Sequence, residues 1–262
     1  MRTGNPSLRR IFRQSQTGEI HVESQPATYW GIAKKAMLFG GITILSAIAV
    51  LVALNFAFYG NNPEVLTVVL IGVLCGALPM IIISLIITFV PKTVKFLGPV
   101  YALFQGATLG MLVFSVDLVY PGIALAAVLG TLIVFVLCVA LNKLLEVRIS
   151  GKVMRVALIS FVSLVVLELG LFIASLFVTE LNGLFTQAYL WIQLAISAVC
   201  IIYATILLMW DLQTADAIVQ SGADKKHEWM VAFSIVVTLV YLYVEILELL
   251  LRLLAIFGRR SN

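Results

Sequence analysis

Seven long apolar stretches follow one another along the chain, at roughly 30 to 58, 64 to 90, 94 to 116, 121 to 142, 153 to 178, 186 to 210 and 229 to 257, separated by short polar segments. A helix needs about 20 apolar residues to cross the hydrocarbon core of a bilayer, and every stretch reaches that length. Strands of a membrane barrel need only about 10, and only a helix closes its backbone hydrogen bonds within its own segment in lipid. The pattern predicts an all-α integral membrane protein, a seven-transmembrane-helix bundle over residues 29–262. Residues 1–28 are polar and basic, with Arg2, Arg9, Arg10 and Arg13, and they lack the apolar core of a signal peptide. They read as a cytoplasmic tail.

The connections alternate in character. Gly60-Asn61-Asn62-Pro63, Asp117 to Pro121-Gly122 and Glu180-Leu181-Asn182-Gly183 contain no Lys or Arg. Lys34, Lys35, Lys92, Lys95, Lys143, Arg148, Lys152, Arg155, Lys225 and Lys226 flank the helix ends on the other side. Basic residues collect on the cytoplasmic side of a membrane protein, which puts the amino terminus and the even-numbered connections there. Seven crossings begun inside finish outside, although Arg259 and Arg260 close the chain. The absence of targeting signals fits a bacterial plasma membrane.

Composition adds one exclusion. Charged residues make up 11% of the chain, against about a quarter in an ordinary soluble domain. The net charge of +4 therefore belongs to helix flanks rather than to a nucleic-acid surface. The lipid bilayer is the first expected partner.

Against this apolar background the embedded carboxylates carry the most information. Burying a charged side chain at the centre of a bilayer costs about 2.5 to 3.5 kcal/mol on insertion scales, so such groups normally line a cavity. Asp211 and Glu245 occupy the last two stretches. Two carboxylates brought to ~4 Å repel by ~4 kcal/mol at an effective dielectric near 20, so the pair holds one proton near neutral pH and releases it above. A protonated pair shares a hydrogen bond and latches the sixth helix to the seventh. An ionised pair repels and invites a cation, with calcium or another cation as permeant ion and Asp211 and Glu245 as its ligands. Calcium takes about six to eight oxygens and two carboxylates offer roughly four at most, which favours passage over storage. Measured from a turn at 221–228, Asp211 lies ten residues away and Glu245 seventeen. That mismatch of about 10 Å of helical rise must be absorbed by a broken, tilted or extended helix.

Glu245, Glu248 and Arg252 share one helical face at spacings of three and four. That face should avoid lipid, which places the seventh helix centrally, inside a ring of the other six, with Arg252 neutralising Glu248. Asp216 is a candidate for attracting ions at the cytoplasmic mouth. Gln105 either bonds another helix or lines a pore, and Glu168 is either a protonated, bonded carboxyl or part of the path. Asp224 and Glu228 read as solvated residues of a cytoplasmic turn. Gly106 and Gly110 form a GxxxG that favours close helix packing, and Cys75, Cys138 and Cys200 read as packing residues. His21 and His227 make no metal motif, and no GxSxG, HExxH or GxGD-like signature occurs. Neither an enzyme nor a bound cofactor is expected.

These residues also carry a resemblance. Trp210-Asp211-Leu212 through Asp216, Gly222-Ala223-Asp224-Lys225, Glu228-Trp229, Ala232-Phe233, Thr238-Leu239-Val240 and Leu242 to Leu247 resemble the carboxyl-terminal signature of bacterial Bax inhibitor-type membrane proteins. Tyr101 to Gly106, Leu109-Gly110 and Gly4-Asn5-Pro6 extend the resemblance over most of the chain. The transmembrane Bax inhibitor motif family implies seven helices and a pH-sensitive calcium leak, its central seventh helix latched to the sixth by two acidic residues, here Asp211 and Glu245. The chain departs from the pattern with Glu245 where many relatives carry Asp, Gln105 where Glu is common, and Glu248 where the bacterial branch has a basic residue. Its connection between the latch positions is also longer. The rival expectation is a non-conducting regulator that binds another membrane protein, such as a quality-control protease, through the basic amino-terminal tail or lipid-facing grooves.

Overall fold

The computed structural model describes residues 26–60, 64–144, 148–177 and 186–257. The tail arginines, His21, Gly4-Asn5-Pro6, the turn positions Asn61 to Pro63 and Glu180 to Gly183, and Arg259 and Arg260 lie outside the described residues, as does the side chain of Glu168. Regular structure among the described residues is helical: α1 Tyr29–Tyr59, α2 Val65–Phe89, a 3-10 turn Pro91–Thr93, α3 Val94–Asp117, α4 Ile123–Leu144, α5 Gly151–Phe177, α6 Thr186–Gln220 and α7 His227–Phe257. Among the described residues five segments are long and apolar enough to cross a membrane, namely Tyr29–Tyr59, Pro91–Asp117, Ile123–Leu144, Trp191–Gln220 and His227–Phe257. Large apolar side chains such as Leu45, Phe56, Leu78, Leu125, Ile133 and Val166 point outward, the inverse of a water-soluble surface.

Several hydroxyls within the apolar helices are satisfied locally. The hydroxyls of Thr43, Thr88, Ser115, Thr131, Ser163 and Thr205 donate to carbonyls four residues earlier in the same helix. This removes the need for water in an apolar surrounding.

Contacts divide the chain into two compact units. One comprises the described residues within 26–124 and 214–237. Here α1 packs on α3 through the small-residue stripe: a Cβ at Gly106 would strike the Thr43 carbonyl, and one at Gly110 would lie 2.5 Å from the Ala47 carbonyl oxygen. Ser46 Oγ donates across the same contact to the Leu103 carbonyl at 2.9 Å. Phe39 anchors the unit, edge-on to Trp229 and Phe233 at 5.8 and 5.9 Å between centroids. The other unit comprises the described residues within 125–213 and 238–257. It contains Phe161 stacked on Tyr203 at 4.4 Å, with Tyr241 edge-on to both.

The sixth helix runs ten residues past the end of its apolar stretch at 210, to Gln220, where the turn at 221–228 begins. Asp211, Gln213, Thr214 and Asp216 end the apolar run without ending the helix. The stop comes at Gly222, which adopts a left-handed φ of +65°. Its N–H donates to the Val219 carbonyl and that of Ala223 to the Ile218 carbonyl, both at 3.2 Å. This paired closure is a Schellman cap, and it needs the glycine.

Candidate functional site

The helical extension puts Asp211 inside α6, where it is 6% exposed. Thr238 Oγ1 of α7 donates to Asp211 Oδ2 at 2.6 Å. A hydroxyl-to-carboxyl hydrogen bond of this length ties the two antiparallel helices together and fixes their register. Further along the seam Tyr241 meets Tyr203, with centroids 6.4 Å apart. Beyond it Arg252 donates to the Gln193 carbonyl at 2.8 Å and to Ser197 Oγ. Reading α7 from 238 to 252, the partners on α6 thus run backwards from 211 through 203 to 197 and 193.

Glu245 falls between Tyr241 and Arg252 in this register. The Tyr241 hydroxyl lies beside both the Glu245 carboxyl and the Cys200 thiol. Neither α6 nor α7 is interrupted between these residues. Asp211 therefore stands level with Thr238, and Glu245 comes seven residues later, about 10 Å of rise. One turn beyond Glu245, Glu248 Oε2 pairs with Arg252 at 2.9 Å. Asp211, Glu245, Glu248 and Arg252 all belong to the same compact unit. Among the described residues no group of three or more His, Cys, Asp or Glu assembles as metal ligands.

Two other candidates belong to the first unit. Asp216 is half-buried and accepts a hydrogen bond from the Tyr29 hydroxyl, with Gln220 alongside. Gln105 is 8% exposed, and its Oε1 has no hydrogen-bond partner among the described residues.

Glu228 corrects the expectation of a solvated turn residue, because it has no solvent exposure at all. Its Oε1 accepts the Thr28 N–H at 2.8 Å, and its Oε2 pairs with Lys35, whose ammonium also lies 5.0 Å from the Trp229 ring centroid. Thr28 is itself the amino-terminal cap of α1, accepting the Gly31 N–H at 3.0 Å. Gly31 leaves room for the arrangement, since any Cβ there would collide with the Glu228 carboxyl. Ala27 N–H donates to the Ala223 carbonyl at 2.8 Å, so the segment entering α1 is tied to the turn entering α7. Asp224 in that turn is partly buried and pairs with Lys226 Nζ at 3.1 Å. Burial pushes its carboxyl up, but the Lys226 backbone N–H, the Lys226 ammonium and His227 together hold it below the ordinary 3.8.

The family model described as Bax inhibitor 1 like matches residues 5–255. The chain belongs to that family. Membership covers nearly the whole length, so both units and the α6–α7 seam lie inside the matched region, and the chain is a membrane protein of the Bax inhibitor 1 like family. No curated protein and no solved structure gives a match. The sequence singled out Asp211 and Glu245, led to a solvated reading of Glu228, and assigned no role to Thr238, Tyr241 or Ser197. Thr238 stands 27 residues after Asp211, a spacing that a turn between two long helices allows.

Proposed function

We propose that this protein is a proton-regulated cation leak of the bacterial plasma membrane, with calcium as its foremost permeant ion and Asp211 and Glu245 as the titrating groups. The amino terminus faces the cytoplasm, seven helices cross the bilayer, and α7 is the central one. Over half of α7's apolar stretch is buried, 56% against 17% to 33% in the other candidate spans, which supports that central role. The observation that carries the reading is the Asp211 carboxylate, withdrawn from solvent and held by one α7 hydroxyl in a family of membrane proteins.

The register suggests how the pair works. Asp211 with Thr238 forms one oxygen-lined station, and Glu245 beside Tyr241 forms a second about two turns on. Protonated, the stations carry no net charge and α6 stays packed on α7. Ionised, they attract a cation, which exchanges one station for the next with water completing its shell. Two stations with few ligands each suit entry and exit better than retention, as conduction requires.

Proteoliposomes loaded with a calcium-sensitive dye test the proposal. Influx should rise with pH across a series from about pH 6 to about pH 8, and Asp211→Asn should flatten that dependence. Absence of flux across the whole range, or an unaltered profile in D211N, refutes it.

A further inference from the structure

Arg252 lies one turn beyond Glu248 on α7 and is largely withdrawn from solvent, its side chain 18% exposed. Its guanidinium donates to three oxygens of different kinds: the Gln193 carbonyl at 2.8 Å, Ser197 Oγ, and Glu248 Oε2 at 2.9 Å. Gln193 and Ser197 are one turn apart on α6, and Ser197 is fully buried. Glu248 closes the set from α7. A carbonyl, a hydroxyl and a carboxylate converging from two helices are the hard-oxygen ligands that a cation such as calcium selects. The chain fills that place with its own positive charge, although an arginine is costly in an apolar segment.

We propose that the oxygens of Gln193, Ser197 and Glu248 form a calcium-class cation site that Arg252 occupies as a tethered plug. This rests on the leak reading above and adds its regulation. While the guanidinium sits in the cradle, a second cation is repelled from the seam just beyond Glu245. Withdrawing Arg252 removes its positive charge from all three oxygens at once and extends the row of stations past Glu245. The guanidinium suits the role because its planar array of donors can meet all three acceptors together, which a lysine ammonium on its flexible stem does less well.

The test counts calcium bound by the purified full-length protein in detergent, using radioactive calcium in equilibrium dialysis. Arg252→Ala should bind about one more equivalent than wild type, and the gain should vanish in the double variant R252A with Glu248→Gln. R252K should gain none, since its ammonium still neutralises the cradle. R252Q keeps a polar, uncharged side chain at the position and carries the same expectation as R252A if the alanine variant does not yield monodisperse protein. In proteoliposomes R252A should raise calcium influx at least about threefold at fixed pH. Equal binding by wild type and R252A, or a gain that survives E248Q, overturns the plug. If wild-type liposomes pass no calcium at any pH the leak reading falls, whereas the binding difference still decides whether Arg252 fills a cation site.

Discussion

Glu228 of α7 and Lys35 of α1 form an ion pair whose carboxylate is wholly withdrawn from solvent. The two residues are 193 apart in sequence, so the pair fixes the start of the last helix against the start of the first. A carboxylate in that position needs every donor it has. Removing one partner of a buried pair costs about 3 to 5 kcal/mol, whereas replacing both by apolar residues is often near neutral. Lys35→Met should therefore lower the thermal unfolding temperature in detergent more than the double variant K35M with Glu228→Met. Equal losses in the two would mean that Glu228 draws nothing from Lys35.

The α1–α3 contact predicts a contrast among glycines. A methyl group at Gly106 meets the Thr43 backbone carbonyl, which cannot swing aside as a flexible side chain would, while Gly40 and Gly41 face open space. Overpacking of this kind costs about 1 to 3 kcal/mol. Gly106→Ala should destabilise by that amount, and Gly41→Ala should match or exceed wild type because alanine is the better helix former by about 1 kcal/mol. Thermal unfolding of the purified variants checks both. If the two alanines behave alike, the close approach of α1 and α3 is wrong.

How far the sequence disclosed this arrangement depends on the range of the information. The helices followed from runs of apolar residues, a local property, and the observed ends fall within about two residues of expectation for six of seven, the ordinary fraying uncertainty. The apolar stretch of α6 ends at 210 because hydropathy falls at Asp211, yet the helix runs on to the turn counted from 221 and stops only where Gly222 supplies a left-handed conformation. Glu228 was misjudged for a different reason. A glutamate after Lys225, Lys226 and His227 looks like a solvated turn, and the Thr28 N–H and Lys35 ammonium that bury it arrive from the other end of the chain. Counting residues from the turn did show that Asp211 and Glu245 are offset by seven positions. It could not show that Thr238, a threonine in an apolar run, fills the level opposite Asp211.

Asp224 predicts a pH dependence of stability. Burial raises its carboxyl, but the Lys226 N–H and ammonium and His227 lower it further, so folding favours the ionised form. A depressed folded value gives a contribution that is complete above about pH 4, the unfolded range, and fades as pH falls through the folded value. Because the Asp224 side chain is 27% exposed, the effect is small, below about 1 kcal/mol. Asp224→Asn should lower the unfolding temperature slightly at neutral pH, and the difference from wild type should close well below the ordinary 3.8. A difference that grows on acidification contradicts the assignment.

The Thr238–Asp211 contact yields the most direct test of the gating proposal. A hydroxyl that donates to a carboxylate stabilises its ionised form, and in the proposed leak ionisation is the step that opens the seam. Thr238→Val keeps the shape of the side chain but removes the donor, so opening must wait for a lower proton activity. A hydrogen bond to a charged group is worth about 1.5 to 3 kcal/mol, and partial replacement by water leaves an expected upward shift of about one pH unit in the flux midpoint. Thr238→Ser retains the hydroxyl and should keep the wild-type midpoint. The measurement is dye-reported calcium influx into liposomes over a pH series for the three proteins. A T238V midpoint at or below that of wild type would show that the hydroxyl does not hold the open form, and Asp211 would then lose its place as the proton-sensing group.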